Sequence, residues 1–353
     1  MPSLARRHFI AAAAGAAGTA ALPPALANGV EPRGGRVSNS GTYLVALGTN
    51  AGPAVPGPRK GIATAVVVDG NTYLVDTGLG VVRQLSEAGL PGHMLRAVFL
   101  THLHSDHVAE LPATLLYQWG PPVQGSVSPV HILGPSSARQ LPAGARATIA
   151  PGTPGTEDMV RHVLAAYAYD VNIRVHDEAR PPLDDLVRAQ DIRLPSHVRA
   201  SARGDLVPEM EPFRIFEDDH VKVLATLVDH APVFPSFGFR IETSAGTVAL
   251  SGDTAAHPNV SRLATGADIL VHEAVYLDYF RQRQFPQDFI DHIWESHTTP
   301  EEVGQVAAAA GVPHVVLSHL AGVATPAQWA ADVSLHYDGQ VTVAADGQIF
   351  PLS

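Results

Sequence analysis

Hydrophobic positions fall first into strand-length runs. Segments 42–47, 63–68 and 72–75 are rich in aliphatic residues, and Asp69-Gly70-Asn71 between the last two tolerates positive φ, predicting a hairpin turn. Asp76-Thr77-Gly78 then opens a helix over 79–88, stopped by Gly89. A short apolar run, 97–100, reads as a buried strand that leads directly into Thr101-His102-Leu103-His104-Ser105-Asp106-His107.

Between about 138 and 212 the pattern changes. Pro-Gly turns appear, and Met159, Val160, Val163, Leu164 and Tyr167 fall on one face of an amphipathic stretch over 157–169, with Thr156 as the expected cap. We expect an inserted helical subdomain here. The second half repeats the logic of the first, with strands at 221–227, 238–243, 247–251, 269–272 and 314–317. Thr299-Pro300-Glu301-Glu302 forms a capping-box pattern that starts a helix over 300–310. A last helix begins at Thr325-Pro326, and a last strand covers 340–344. Two β-then-α halves imply an α/β sandwich of two sheets flanked by helices.

Composition changes the picture in three ways. Residues 1–27 join Arg6-Arg7 to a small apolar stretch ending Ala25-Leu26-Ala27, the form of an export signal of the twin-arginine kind. The catalytic domain then runs over 41–353, and the expected location is periplasmic or secreted, with no membrane anchor after processing. There is no cysteine, so every metal ligand must be His, Asp, Glu or a backbone oxygen. The net charge is −11, and such acidity argues against nucleic acid and for a small-molecule substrate. A homodimer stays open.

In Thr101–His107, His102 and His104 alternate and so project the same way from an extended segment, while Asp106 and His107 lie on the turn that reaches back. Four ligands within six residues can hold two metals side by side, as hydrolytic two-metal sites require. A surface histidine cluster is the bland alternative. It sits poorly at the end of a buried strand, where α/β proteins collect active-site residues.

The HxHxDH pattern after a buried strand resembles the signature of the metallo-β-lactamase superfamily, which implies a four-layer αββα sandwich, here with the helical insertion. The resemblance also implies a ligand set. His230 is similar to the third His of the first metal, Asp253 in Ser251-Gly252-Asp253 to the carboxylate bridging both metals, and His319 to the last ligand of the second. Metal one would have His102, His104, His230 and Asp253; metal two, Asp106, His107, Asp253 and His319. The implied cofactors are two divalent ions, taken as zinc, and the implied chemistry is hydrolysis by a metal-bridging hydroxide, steered by Asp106.

Val271-His272-Glu273-Ala274, Ser296-His297-Thr298-Thr299 and the stretch from Gly48-Thr49-Asn50 to Pro58-Arg59 resemble motifs of the RNase Z-like branch. His297 precedes a capped helix start and could protonate a leaving oxygen, with Glu273 orienting it. A structural role for both is the competing reading. RNase Z enzymes carry an Arg four residues after the last His ligand, where this chain has Val323. We therefore expect an exported hydrolase of a small phosphodiester, sulfate ester, carboxylic ester or lactone, similar to arylsulfatase-like and phosphodiesterase-like members. Tyr167, Tyr169 and Arg174 of the insertion are expected to select substrate. The competing classes are an iron-dependent redox member of the same fold and a non-catalytic periplasmic metal or ligand binder.

Overall fold

The computed structural model describes residues 36–54, 57–121, 123–150 and 152–353. The expected export signal at 1–27 lies outside them. The first half contains β1 (Thr42–Gly48), β2 (Ala63–Val68), β3 (Asn71–Val75), α1 (Val81–Ala88), β4 (Leu95–Phe99), α2 (Ser105–Val108), α3 (Leu111–Tyr117), β5 (Val130–Pro135), α4 (Thr156–Ala166), α5 (Ala168–Asp177), α6 (Leu183–Leu186) and β6 (Val187–Ile192). The second contains β7 (Phe213–Glu217), β8 (Val221–Leu227), β9 (Phe237–Thr243), β10 (Thr247–Leu250), α7 (Pro258–Ala264), β11 (Ile269–Val275), α8 (Leu277–Gln282), α9 (Gln287–Ser296), α10 (Pro300–Ala310), β12 (His314–Ala321), α11 (Pro326–Val333), β13 (Gln340–Val343) and β14 (Gln348–Leu352).

Two seven-stranded mixed sheets result, in the orders β14-β1-β2-β3-β4-β5-β6 and β13-β12-β11-β10-β9-β8-β7. Alternation along the strands sorts their apolar residues into layers. Leu44, Val66, Tyr73 and Phe99 of the first sheet share one buried cluster with Val223, Phe239, Val248 and Val316 of the second, so this cluster fills the space between the sheets. The intervening residues Val45, Val67, Leu74 and Val98 face out and pack with Leu85 of α1 and Leu115 of α3. On the opposite outer face, Leu270 and Val315 pack with Val303 of α10 and Trp329 of α11. This is the helix–sheet–sheet–helix order of the metallo-β-lactamase fold.

The predicted capping box at Thr299 forms, and the helix expected to begin at Thr325-Pro326 has a capping box of its own. Thr299 and Glu302 close a capping box at α10, as do Thr325 and Gln328 at α11. Such a cap contributes about 1 kcal/mol, enough to fix where the chain leaves His297 and turns into α10.

The segment 138–212 contains α4, α5 and α6 but also β6, the parallel edge strand beside β5. Its alternation of half-buried and exposed residues is that of an edge strand, which a reading focused on the helical face passes over. Thr156 does not cap α4. Its buried hydroxyl donates to the Pro135 carbonyl at 3.0 Å, and Asp191 at the β6 edge accepts from the Glu157 amide at 3.0 Å instead. The predicted helix breaks at Tyr167, which is 44% exposed, with Tyr169 at 84%.

Candidate metal centre

Strand ends bring the donors together. β4 releases the chain into Thr101 and His102, β8 ends three residues before His230, β10 ends three before Asp253, and β12 carries His319. Gly252 makes the turn to Asp253 feasible. Its φ is +63°, and a Cβ there would sit 2.6 Å from the Phe237 carbonyl oxygen.

All seven predicted ligands converge. The donor atoms of His102, His104 and His230 lie within 4.8 Å of one another, as do those of His102, His107 and Asp253, and those of Asp106, His107 and His319. Asp253 stands at the middle: its Oδ2 is 3.3 Å from His107 Nε2 and 4.0 Å from both His102 Nε2 and His230 Nε2, while its Oδ1 is 3.3 Å from His319 Nδ1. Asp106 Oδ2 is 3.5 Å from His107 Nε2 and 3.4 Å from His319 Nε2.

The donor set fits two divalent cations. His102 Nε2, His107 Nε2, His319 Nδ1 and Asp253 Oδ1 are buried without hydrogen-bond partners among the described residues. Buried polar atoms left so cost about 1–3 kcal/mol each, and three such imidazole nitrogens within 4.0 Å of the Asp253 carboxylate oxygens are the mark of a cation cradle. Their electrostatics agree. Burial pushes the pKa of His102 well below its ordinary value and that of His230 down to about 3, keeping both imidazoles neutral and able to coordinate. Burial also opposes charge on His107, but the carboxylates of Asp253 and Asp76 outweigh it and raise its pKa. Asp106 is lowered, since the His319 hydrogen bond and the charge of His107 overcome its own desolvation.

Glu273 and His297 adjoin this cradle. Glu273 is buried on β11, and its Oε1 accepts from His297 Nδ1 at 2.8 Å and from the Thr254 amide at 2.8 Å. Burial works against a charged His297, yet the Glu273 carboxylate lifts its pKa to about 9. Glu273 is itself raised by burial. Together the two groups hold a proton beside the cradle.

Sequence reasoning missed the supports. Asp76, read as a helix opener, accepts from the Thr101 amide at 2.8 Å and lies 2.8 Å from His107 Nδ1, so it orients that imidazole. His230 Nδ1 donates to the Ser296 carbonyl at 3.0 Å. The loop after β1 joins two ligands. Gly52 donates its amide to Asp106 Oδ2 at 3.0 Å, Leu320 beside His319 donates to the Thr49 carbonyl at 2.9 Å, and a Cβ on Gly52 would lie 2.2 Å from that of Asp106. The signals were present as an Asp at the end of a strand and a Gly-Thr-Asn run, but neither names its partner.

Residues 56–143 match the metallo-β-lactamase superfamily model. A curated relative named ribonuclease Z, from Mycobacterium bovis (strain BCG / Pasteur 1173P2), is 31% identical over 307 residues, which cover 86% of this chain and 95% of the relative. Among solved structures, the metallo-β-lactamase fold protein YhfI from Bacillus subtilis superposes with a TM-score of 0.58 at 17% identity, covering 88% of this chain and 98% of its own. The short form of human tRNase Z gives 0.57 at 21%, covering 88% and 99%. The expectation that nucleic acid is excluded as a partner is corrected by the likeness to proteins named ribonuclease Z. Net charge over a whole chain is a poor guide there, because the field over a site is set locally and by any cations it holds. The chain belongs to the metallo-β-lactamase superfamily, in its ribonuclease Z-like branch, and is a metal-dependent hydrolase.

Proposed function

We propose that this hydrolase cleaves phosphodiesters, with zinc in both positions of the cradle. The observation that carries the reading is the Glu273–His297 pair set against a cradle with a shared carboxylate. Two cations there supply Lewis acidity and lower the pKa of water. Asp106, held by the Gly52 amide and His319, fixes the attacking side, and His297 holds a proton for the oxygen that leaves. Glu273 aims the ring and favours its protonated form. Support from outside the site is the name ribonuclease Z borne by relatives, since RNA is a phosphodiester polymer.

Purified, zinc-loaded protein tested on matched nitrophenyl phosphodiester, sulfate, acyl ester and lactone substrates, and on RNA, is expected to act on the phosphodiester class. Turnover confined to sulfate or acyl esters overturns the reading. His297→Ala is expected to lower kcat by about a hundredfold with zinc content unchanged; loss of zinc along with turnover would instead make the residue structural. We further propose export directed by residues 1–27, tested by cell fractionation and N-terminal sequencing of the mature protein. A cytosolic, uncleaved chain overturns it.

A further inference from the structure

A cavity of about 180 Å³ is lined by residues that flank His102, His104 and His230 in the chain. Leu103, between two of those ligands, forms one wall, and Pro232, Val233 and Phe234, immediately after the third, form another. Ala138, Ala202 and the polar Ser136, Gln140 and Thr153 also line it. None of the described lining residues is charged. The enclosing loops are held in place: Arg203 Nε donates to the Leu141 carbonyl at 2.9 Å, Ser137 and Thr153 hydroxyls meet at 3.2 Å, and the Val233 amide donates to the His230 carbonyl at 2.8 Å. Phe234 is anchored from behind by the core between the sheets.

Resting on the phosphodiester reading above, we propose that this cavity is a subsite for an apolar ester substituent of the substrate, an aryl ring or a short alkyl chain. An apolar cavity of about 150 Å³ holds a benzene ring, so the volume suits one ring. The chemistry suits it too: the lining is mostly Pro, Leu, Ala, Val and Phe, with Ser136, Gln140 and Thr153 as its polar side chains, so an ion entering it would lose its hydration with no counter-charge in exchange. Leu103 and the 232–234 segment flank ligands in the chain, so a substituent seated in the cavity would pass Leu103 while its phosphorus stays at the cradle that would hold the cations.

The test uses zinc-loaded protein and two nitrophenyl phosphodiesters with the same leaving group, one carrying a phenyl and the other a methyl ester. The phenyl compound is expected to show about tenfold higher kcat/KM, the discrimination a few buried carbons give. Ala202→Phe, which fills the cavity, is expected to bring phenyl down to the methyl value while leaving methyl unchanged; Ala138→Leu, on a half-buried wall, serves if the first variant misfolds. Calorimetric binding of phenylphosphonate against methylphosphonate gives the same comparison without turnover, so the subsite can be judged even if phosphodiester cleavage fails. Equal values for phenyl and methyl in both measurements overturn the subsite. A thymidine ester preferred to phenyl, with the preference lost in Ala202→Phe, replaces it with a nucleoside subsite.

Discussion

The two sheets supply the same centre by opposite means. The first gives four donors from a single strand end, His102, His104, Asp106 and His107 being almost consecutive. The second gives His230, Asp253 and His319 from three separate strand ends that only the sheet order β12-β11-β10-β9-β8 brings to one place. Their supports differ in kind as well. His107 is oriented by a side chain, Asp76, whereas His230 is oriented by a main-chain carbonyl, that of Ser296. At these two imidazoles the first half relies on a replaceable side chain and the second on the main chain, although Asp106 of the first half is also held by a main-chain amide, that of Gly52.

Asp253 is where the comparison is most easily broken, because it faces two imidazoles from each half. Asp253→Ala removes the shared carboxylate and leaves those imidazoles without a counter-charge between them. Metal-derived stabilisation of several kcal/mol goes with it, so kcat/KM is expected to fall by at least about a thousandfold and metal content from two ions per chain to one or none. Mass spectrometry of the native protein reads the ions, and circular dichroism checks the fold. Two ions and near-normal turnover in this variant would remove Asp253 from the centre.

A paired substitution sharpens the contrast in support. Asp76→Asn keeps the volume but changes the partner of His107, and loss of such a support typically weakens metal binding by about ten- to a hundredfold. Ser296→Ala leaves the carbonyl that holds His230 in place and is expected to change metal affinity less than about threefold, well below that range. Competition with a chromophoric chelator measures both. Equal effects would show that the two halves are supported alike.

The same asymmetry explains what was legible in the sequence. Thr101–His107 declares itself because its donors are close along the chain and follow an apolar strand. His230, Asp253 and His319 are each unremarkable alone and become readable only through the order of motifs that the family resemblance supplies. Glu273 and His297 were visible by the same route. Asp76 and the Gly52 amide were not, since their roles depend on contacts between distant segments. The inner strands, the Thr299 capping box and the helix start at Thr325 followed from local chemistry, whereas β6 and β7 at the sheet edges carry half-polar patterns that propensity does not separate from loop. Thr156 and Tyr167 misled because helical periodicity gives a face but not the ends: Pro135 and Asp191 decide how that helix begins, and its break at Tyr167 takes that ring off the buried face.

The smallest expected effect tests whether the loop after β1 belongs to the first half alone. Asp346, in the turn between β13 and β14, accepts from the Thr49 hydroxyl at 2.8 Å and from the Lys60 amide at 2.6 Å. Arg59 bonds both Thr49 and the Ala344 carbonyl, so the two ends of the loop are tied to the connection between β13 and β14, which crosses from one sheet to the other. Between those ends lie the Gly52 amide on Asp106 and the Thr49 carbonyl on Leu320, one contact to each half of the second metal position. Asp346→Ala releases the loop without touching a ligand. Because Asp346 is half-buried and water can replace part of what is lost, the expected stability loss is about 1 kcal/mol, read from urea denaturation. The second ion should bind a few-fold more weakly while the first binds as before, since only Asp106 and His319 feel the loop. An equal change at both positions would mean that Asp346 stabilises the domain as a whole, and the loop would then be a surface connection rather than the tie between the two halves.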